Sequence, residues 1–316
     1  MKVLLTGAGG QLGRCLQDRC PVTWQLLAAD HKALDVTDAQ AVRQCVRQFQ
    51  PRLIINAAAY TNVDQAEGEE ARTFAVNEHG ARYLAQAARM ARARLVHVST
   101  DYVFDGEGLR PYVETDPVNP LNVYGRSKLA GEQAVLQECA EQPNAVGHAA
   151  QSSAARQSPQ SYGPSFIVLR TSWLYSEYGR NFVKAIVARA LQGHELKVVN
   201  DQIGAPTYAG NLAQAMIQIG QMPNLPSGLY HCSGAVALSR YEFARQVLDT
   251  LAQVQRLGDS REAFRSVPIV SDPDSALAPR PKYSVLDSGK LQRLGVSEGD
   301  SLEDCLRHVV GVLLKG

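Results

Sequence analysis

A tyrosine and a lysine stand four residues apart in the run Asn122-Val123-Tyr124-Gly125-Arg126-Ser127-Lys128. On a helix that spacing puts both side chains on one face, with Cβ atoms about 5–6 Å apart. A free tyrosine titrates near pH ~10, too high for efficient proton transfer at neutral pH. An ammonium about 4 Å from the phenol, at an effective dielectric of about 20, favours the phenolate by roughly 4 kcal/mol, or about 3 pKa units. The pair is a candidate general acid, with Tyr124 carrying the proton and Lys128 supplying the charge that tunes it. The same spacing also fits an amphipathic helix with a half-buried tyrosine and a solvated lysine. The surrounding elements must decide.

At the amino terminus, Lys2-Val3-Leu4-Leu5 has the continuous apolar pattern of a buried parallel strand. Thr6-Gly7-Ala8-Gly9-Gly10-Gln11-Leu12-Gly13 follows at once and leads into a helical pattern from Arg14. Strand, glycine turn, helix is the setting in which such a turn binds a dinucleotide pyrophosphate at a helix N-terminus. Gly7 permits the tight turn, Gly10 the approach of backbone N–H groups, and Gly13 close packing of helix on strand. A second strand, Trp24 to Ala29, ends on Asp30, where an acidic residue meets an adenosine ribose. His31 and Lys32 follow and could instead accept a 2′-phosphate, which leaves NADH and NADPH both open. Asp35 and Val36 begin the next turn and are candidate adenine contacts.

The third strand, Leu53-Ile54-Ile55-Asn56, turns small at Ala57-Ala58-Ala59. Small residues at a strand's carboxyl end leave room for a flat ligand in the crevice of an open parallel sheet. The fourth, Leu95-Val96-His97-Val98-Ser99-Thr100, also ends polar and sets Thr100 to hydrogen-bond both a substrate carbonyl and Tyr124. His97 and His231 lie mid-strand and read as packed, hydrogen-bonded histidines rather than bases. Trp173, among Arg170, Thr171 and Ser172, reads as the wall of a site. Asn181, Gln202 and Arg280 are further substrate candidates. Arg280 suits a diphosphate by its guanidinium, or stabilises the loop before Pro281.

The wording of these segments resembles the extended short-chain dehydrogenase/reductases and, among them, the dTDP-4-dehydrorhamnose reductases. The matching stretches include TGAGGQLGR (6–14), NAAAYTNVDQAE (56–67), VNEHGARYLA (76–85), STDYVFDGEG (99–108), PLNVYGRSKLAGE (120–132), LRTSWLY (169–175), VVNDQIGAPTYAGNLA (198–213) and RPKYSVLDSGKL (280–291). They run in order along the whole chain. The resemblance implies that Tyr124 protonates a sugar 4-keto oxygen, Lys128 depresses its pKa and holds the nicotinamide ribose, and Thr100 polarises the carbonyl. It further implies Thr100, Asp101 and Trp173 around the sugar, and Gly10, Gln11, Leu12, Asp30, Asp35, Val36, Ala59, Tyr60 and Thr61 at the dinucleotide. The product would be dTDP-L-rhamnose, with NADPH as cofactor and NADH an alternative. Some members join subunits through a metal held by acidic residues; Cys15 stands at one such position here, so no metal is expected, and a homodimer is allowed. The same fold also serves as a non-catalytic regulatory subunit of methionine adenosyltransferase, which the intact Thr100, Tyr124, Lys128 set disfavours.

Alternating strand and helix patterns argue for an α/β fold: a Rossmann-type doubly wound parallel sheet with a smaller α/β substrate-binding cap domain. The expected division is a dinucleotide-binding domain of residues 1–174 plus 206–235 and a cap of residues 175–205 plus 236–316. Expected helices include 39–49, 66–76, 80–92, 127–137, 181–191 and 241–251, with a carboxyl-terminal helix from about Leu302 to Leu314 packed on the cap. Residues 139–164, rich in Gln, Ser, Ala and Pro, read as a flexible insertion in the first domain. A formal charge of +1 over 316 residues gives no reason to invoke nucleic acid or a membrane surface. The six cysteines show no Cys-x-x-Cys pair, which suits a reduced compartment. The apolar run before the glycine turn is too short for a signal peptide, so a cytoplasmic location is expected.

Overall fold

The computed structural model describes residues 1–140, 165–256, 263–269, 278–297 and 299–315. Most of the expected insertion, 141–164, lies outside them. The apolar runs of the first half become parallel strands: β1 (Lys2–Thr6), β2 (Gln25–Ala29), β3 (Leu53–Asn56), β4 (Arg94–Thr100) and β5 (Phe166–Thr171). With the strand Gly228–His231, numbered β10 below, they form one six-stranded sheet in the order β10-β5-β4-β3-β1-β2, every pairing parallel.

Alternate residues of these strands serve opposite faces, as the two-residue strand period requires. Val3, Leu5, Leu53, Ile55 and Val96 meet α1 (Gln11–Asp18) and α8 (Ala209–Gln221) on one face. Leu4, Ile54 and Leu95 meet α2 (Ala39–Phe49), α5 (Gly80–Ala91) and α6 (Val123–Ala140) on the other. Successive strands are added in one direction from β1 to β2 and in the other from β3 onward, so the crevice expected to take a ligand opens at the carboxyl ends of β1 and β3.

One expected helix, 66–76, is broken. The chain forms α3 (Val63–Gly68), α4 (Glu70–Phe74) and a π turn (Ala75–His79) before α5. The π turn buries Asn77, and such turns recur at functional positions. The tyrosine–lysine helix starts earlier and ends later than its expected 127–137, so residues 139 and 140 are helical rather than part of a loop.

After β5 come β6 (Leu174–Tyr175), α7 (Phe182–Leu191), β7 (Leu196–Val199), β8 (Ile203–Gly204) and β9 (Thr207–Tyr208). Beyond β10 lie β11 (Leu238–Ser239), α9 (Arg240–Gln255), β12 (Ser266–Ile269), the short α10 (Gly289–Gln292) and α11 (Leu302–Leu313). β7 and β12 pair in parallel, and α7, α9 and α11 enclose a separate apolar cluster containing Val183, Val247, Leu251 and Val309. A polar joint ties this cluster to the large sheet. Tyr208 donates to Glu177 at 3.2 Å and accepts from Arg19 at 3.1 Å, and His308 lies 3.6 Å from Glu177. Among the described residues, no helix is long and apolar enough to cross a membrane.

Candidate active site

The glycine turn is built for an anion. Gly7 has φ +71°, and a Cβ there would lie 2.5 Å from the Ala57 carbonyl group, so the turn presses on the end of β3. At Gly13 a Cβ would stand 2.3 Å from the Gly7 oxygen, so no larger residue lets α1 start so close to β1. Gly10 caps α1 with no side-chain hydrogen bond, which leaves the helix's first N–H groups for a ligand. These features fit the pyrophosphate of a dinucleotide. Leu12, however, is 5% exposed and belongs to the core, so only its backbone faces that space. Gln11 Oε1 accepts from Ser176 and Asn181 at 3.1 and 2.9 Å, so its side chain ties α1 to the segment before α7.

At the end of β2, Asp30 Oδ1 accepts from the backbone of Lys32 and Ala33. The Ala33 bond first, then that of Lys32, holds this carboxyl below its usual range. Asp35 closes a similar turn, accepting from both the hydroxyl and the N–H of Thr37, which lower its pKa. Val36 is buried against the space left by Gly80, so its side chain belongs to the core. Ala59 and Tyr60 are half-buried and Thr61 exposed. Asn77 holds their loop, accepting from Tyr60 N–H at 2.8 Å and donating to the Tyr60 oxygen at 3.1 Å and to Ser127 at 2.9 Å. Ser127 in turn donates to the Tyr124 carbonyl. Asn77 thus locks the dinucleotide side of the crevice to the tyrosine–lysine helix, a role the sequence reading missed; the one signal was a polar residue inside a helical pattern.

Tyr124 is half-buried, with its phenol beside Thr100 at the carboxyl end of β4. Its ring meets Tyr102 edge-on at 5.8 Å. The electrostatics overturn the first expectation. Burial pushes the phenol well above its ordinary pKa, Asp101 and Tyr102 push the same way, and only the Thr100 hydrogen bond opposes them. Lys128 is not among the charges acting on the phenol. Its ammonium is 2% exposed and donates to the Val98 carbonyl at 2.6 Å. Desolvation brings Lys128 down to about 8, against the pull of Glu132. The shared helical face is real, but the nearest strong acceptor on β4 captured the ammonium.

On the other side of Thr100 lies the expected sugar site. Asp101 is 2% exposed and both of its oxygens are taken: Thr100 donates to Oδ1 at 3.0 Å and Ser284 to Oδ2 at 2.6 Å. Trp173 adopts φ +44°, and its indole fills the space where a Gly204 side chain would be. The Arg240 guanidinium stacks on that indole 3.5 Å from the ring centre, while its backbone N–H donates to the Gln202 oxygen. Arg280 reaches both oxygens of Asp64 at 3.0 and 2.9 Å, and both Arg280 and Arg240 oppose the burial that raises the pKa of the Tyr102 phenol beside them. Arg240 and Ser284 were not read from the sequence. A signal existed for the first: Ser239-Arg240-Tyr241-Glu242 forms a capping box, which sets Arg240 at the first turn of α9. Asn181 is drawn away from the site. It caps α7, accepting from Lys184 N–H, while its amide donates to Gln11, Ser176 and Tyr178.

Both mid-strand histidines are packed, hydrogen-bonded and neutral. Burial, reinforced by Lys128, pushes His97 well below its usual pKa, and Asn56 lies 2.9 Å from its Nδ1. His231 is pushed down to about 3 by burial, then by Arg170. Cys15 is buried, which drives its thiol up to about 12. Among the described residues, no three His, Cys, Asp or Glu side chains cluster to hold a metal.

A doubly wound sheet, an anion-ready glycine turn and a Thr–Tyr–Lys set at one crevice define the dinucleotide-binding, short-chain-reductase class of α/β protein. Within that class, the chain belongs to the family described as the RmlD substrate binding domain, which matches residues 1–146 and 148–313. It is 39% identical to the dTDP-4-dehydrorhamnose reductase of Aggregatibacter actinomycetemcomitans over 95% of each chain. It is 37% identical to a probable dTDP-4,6-dihydroxy-2-methyloxan-3-one 4-ketoreductase of Streptomyces antibioticus, over 98% of this chain and 94% of that one. A crystal structure of dTDP-4-dehydrorhamnose reductase from Bacillus anthracis in complex with NADP superimposes with a TM-score of 0.83 at 33% identity, covering 100% of this chain and 99% of the other.

Proposed function

We propose that the protein reduces the 4-keto group of dTDP-4-dehydro-6-deoxy-L-mannose (dTDP-4-dehydro-L-rhamnose) to dTDP-L-rhamnose, with NADPH as reductant. The coarser reading, an NAD(P)-dependent reductase of nucleotide-sugar 4-keto groups, follows from family membership and from relatives that differ in the sugar they act on. The finer one is supported by the relatives reported above, and the reduction itself rests on one observation above others: the Tyr124 phenol lies beside Thr100 at the end of β4, at the crevice that the glycine turn opens.

NADPH supplies the hydride when bound. The chain's own groups do the rest. The N–H groups at the start of α1 hold the pyrophosphate, and the small residues Ala57 to Ala59 let the flat rings lie against the sheet. Tyr124 gives its proton to the keto oxygen, and Thr100 supports the phenol as it does so. Lys128 spends one of its three N–H donors on Val98 and keeps two for the ribose hydroxyls. The high phenol pKa in the empty crevice keeps Tyr124 protonated, the state an acid needs before each reduction. Asp101, Trp173, Gln202 and Arg280 border the sugar side, and we place the boundary of a substrate-binding cap near residues 175–205 and 236–316. Substrate and reductant of this kind belong in the cytoplasm.

The test is oxidation of NADPH at 340 nm with dTDP-, UDP- and GDP-linked 4-keto-6-deoxy sugars, followed by product identification. Turnover confined to the dTDP sugar with a rhamnose product supports the proposal. Preference for another base or epimer moves it to a sister reaction, and absence of turnover with all three ends it.

A further inference from the structure

Thr100 has a single hydroxyl proton, and more than one neighbour needs it. Its Oγ1 donates to Asp101 Oδ1 at 3.0 Å, accepts from Tyr102 N–H at 3.2 Å, and acts on the Tyr124 phenol beside it. While Asp101 is a carboxylate, the Thr100 proton belongs to it, since a carboxylate can only accept. Thr100 then offers Tyr124 only a lone pair, and the phenol proton is held by Thr100. An acid serving a keto oxygen needs the reverse, a donor behind the phenol and its own proton free.

We propose that Asp101 is a positioning residue that sets the direction of the Thr100 hydroxyl. When Asp101 carries a proton on Oδ1 it donates to Thr100 Oγ1, and the Thr100 proton turns toward the phenol oxygen. The Asp101–Thr100 contact is kept in both states, and two protons reorient. Ser284 donates to Oδ2 in either state and brings a residue from beyond α9 into contact with the reacting group. The inference rests on the reductase reading given above and deepens it.

The surroundings favour such a role. Asp101 and Ser284 are 2% and 1% exposed, so neither oxygen of the carboxyl is free to bind a sugar directly. The groups facing it are Thr100 at the end of β4, Tyr102 beside it, Tyr124 from α6, Arg240 from α9, and Ser284. Burial lifts the Asp101 acid to about 6, while Ser284, Thr100 and Arg240 all favour the carboxylate. Its protonation therefore changes within the range where an enzyme works.

Two measurements test this. In single-turnover reduction of a dTDP-4-keto-6-deoxy sugar, the wild-type rate should fall as pH rises through about 6, tracking ionisation of Asp101. Asp101→Asn donates an amide N–H to Thr100 at every pH, so its rate should lose the inflection near pH 6. Ser284→Ala removes a bond that favours the carboxylate, so the inflection should move upward by roughly half a unit or more. An inflection unmoved in both variants, or absent from the wild type, overturns the proposal. The second measurement needs no turnover: 13C NMR titration of the Asp101 carboxyl in the dinucleotide-loaded protein, with and without Ser284→Ala. Titration at or below the ordinary aspartate range overturns the role of Asp101 even if reduction is seen. Failure of every sugar nucleotide to react ends the reductase reading, and the carboxyl titration still judges Asp101.

Discussion

Replacing Glu132 by glutamine tests the electrostatics beneath the site. Arg170 on β5 donates from Nε and Nη2 to the two oxygens of Glu132 on α6 at 2.8 and 2.7 Å, with side chains 3% and 2% exposed. Glutamine keeps the shape and removes the charge, so a buried guanidinium loses its counter-ion and faces an NH2 group. Among the described residues Arg170 Nη1 has no hydrogen-bond partner, and the Phe104 ring lies 5.0 Å from the guanidinium. Breaking a buried pair by removing one partner costs about 3–5 kcal/mol. At about 2 °C per kcal/mol for a chain of this size, the melting midpoint should fall by roughly 6–10 °C. There is a second consequence one helical turn away. Glu132 is the charge that raises Lys128 against desolvation, so its loss should take that lysine further below about 8. Calorimetry at pH 7, with NADPH titrations from pH 7 to 9, reads both effects. The variant should melt earlier and lose NADPH affinity at a lower pH than wild type. The double variant Glu132→Leu/Arg170→Met should recover most of the stability, because both charges leave together. A midpoint drop under about 2 °C in Glu132→Gln would refute the argument that this pair is a desolvated charge couple.

Other variants address the site directly. Lys128→Met should be more stable than wild type at pH 7 by up to about 3 kcal/mol, since the folded pKa of about 8 lies below the 10.5 of an unburied lysine. That penalty is fully present below pH 8 and is lost as pH rises from 8 through 10.5, so the gap between the two proteins should close over that window; a gap constant with pH contradicts it. Tyr124→Phe should keep NADPH affinity and lose about 10²–10⁴ in turnover, the usual contribution of a positioned acid. Wild-type turnover in that variant would remove Tyr124 from the chemistry. Gly204→Ala places a Cβ 2.3 Å from the Trp173 indole and must drive the ring from under Arg240. Its expected signature is a shifted tryptophan emission and a sugar-nucleotide KM raised about tenfold (~1.4 kcal/mol), with NADPH affinity unchanged. An unaltered KM together with an unaltered spectrum would show that the indole is not a wall of the site.

Elements with one dominant physical pattern were legible in the chain. β1, the glycine turn and α1 follow from an apolar run, a turn that needs positive φ at Gly7, and helical spacing after it. α2 matched its expected bounds because Asp38 caps it and Gln50 ends it in the left-handed region. The expected 66–76 helix is interrupted at Glu69, which leaves helical geometry at φ −123°, and ends in a π turn where Asn77 bonds backbone groups of Tyr60, a contact seventeen residues away that local periodicity cannot encode.

The primary structure alone determined the order of strands and helices, the anion-binding turn, and the shared helical face of Tyr124 and Lys128. Each of these depends on neighbours within a few positions, through side-chain period, turn geometry and helix capping. Only the tertiary structure decided what those groups feel. Burial raised the phenol and lowered the lysine, the Val98 carbonyl drew the ammonium off, and Ser284 and Arg240 arrived from more than a hundred residues away to enclose Asp101. Desolvation and long-range hydrogen bonding depend on which surfaces meet in space, and spacing along the chain carries no record of that.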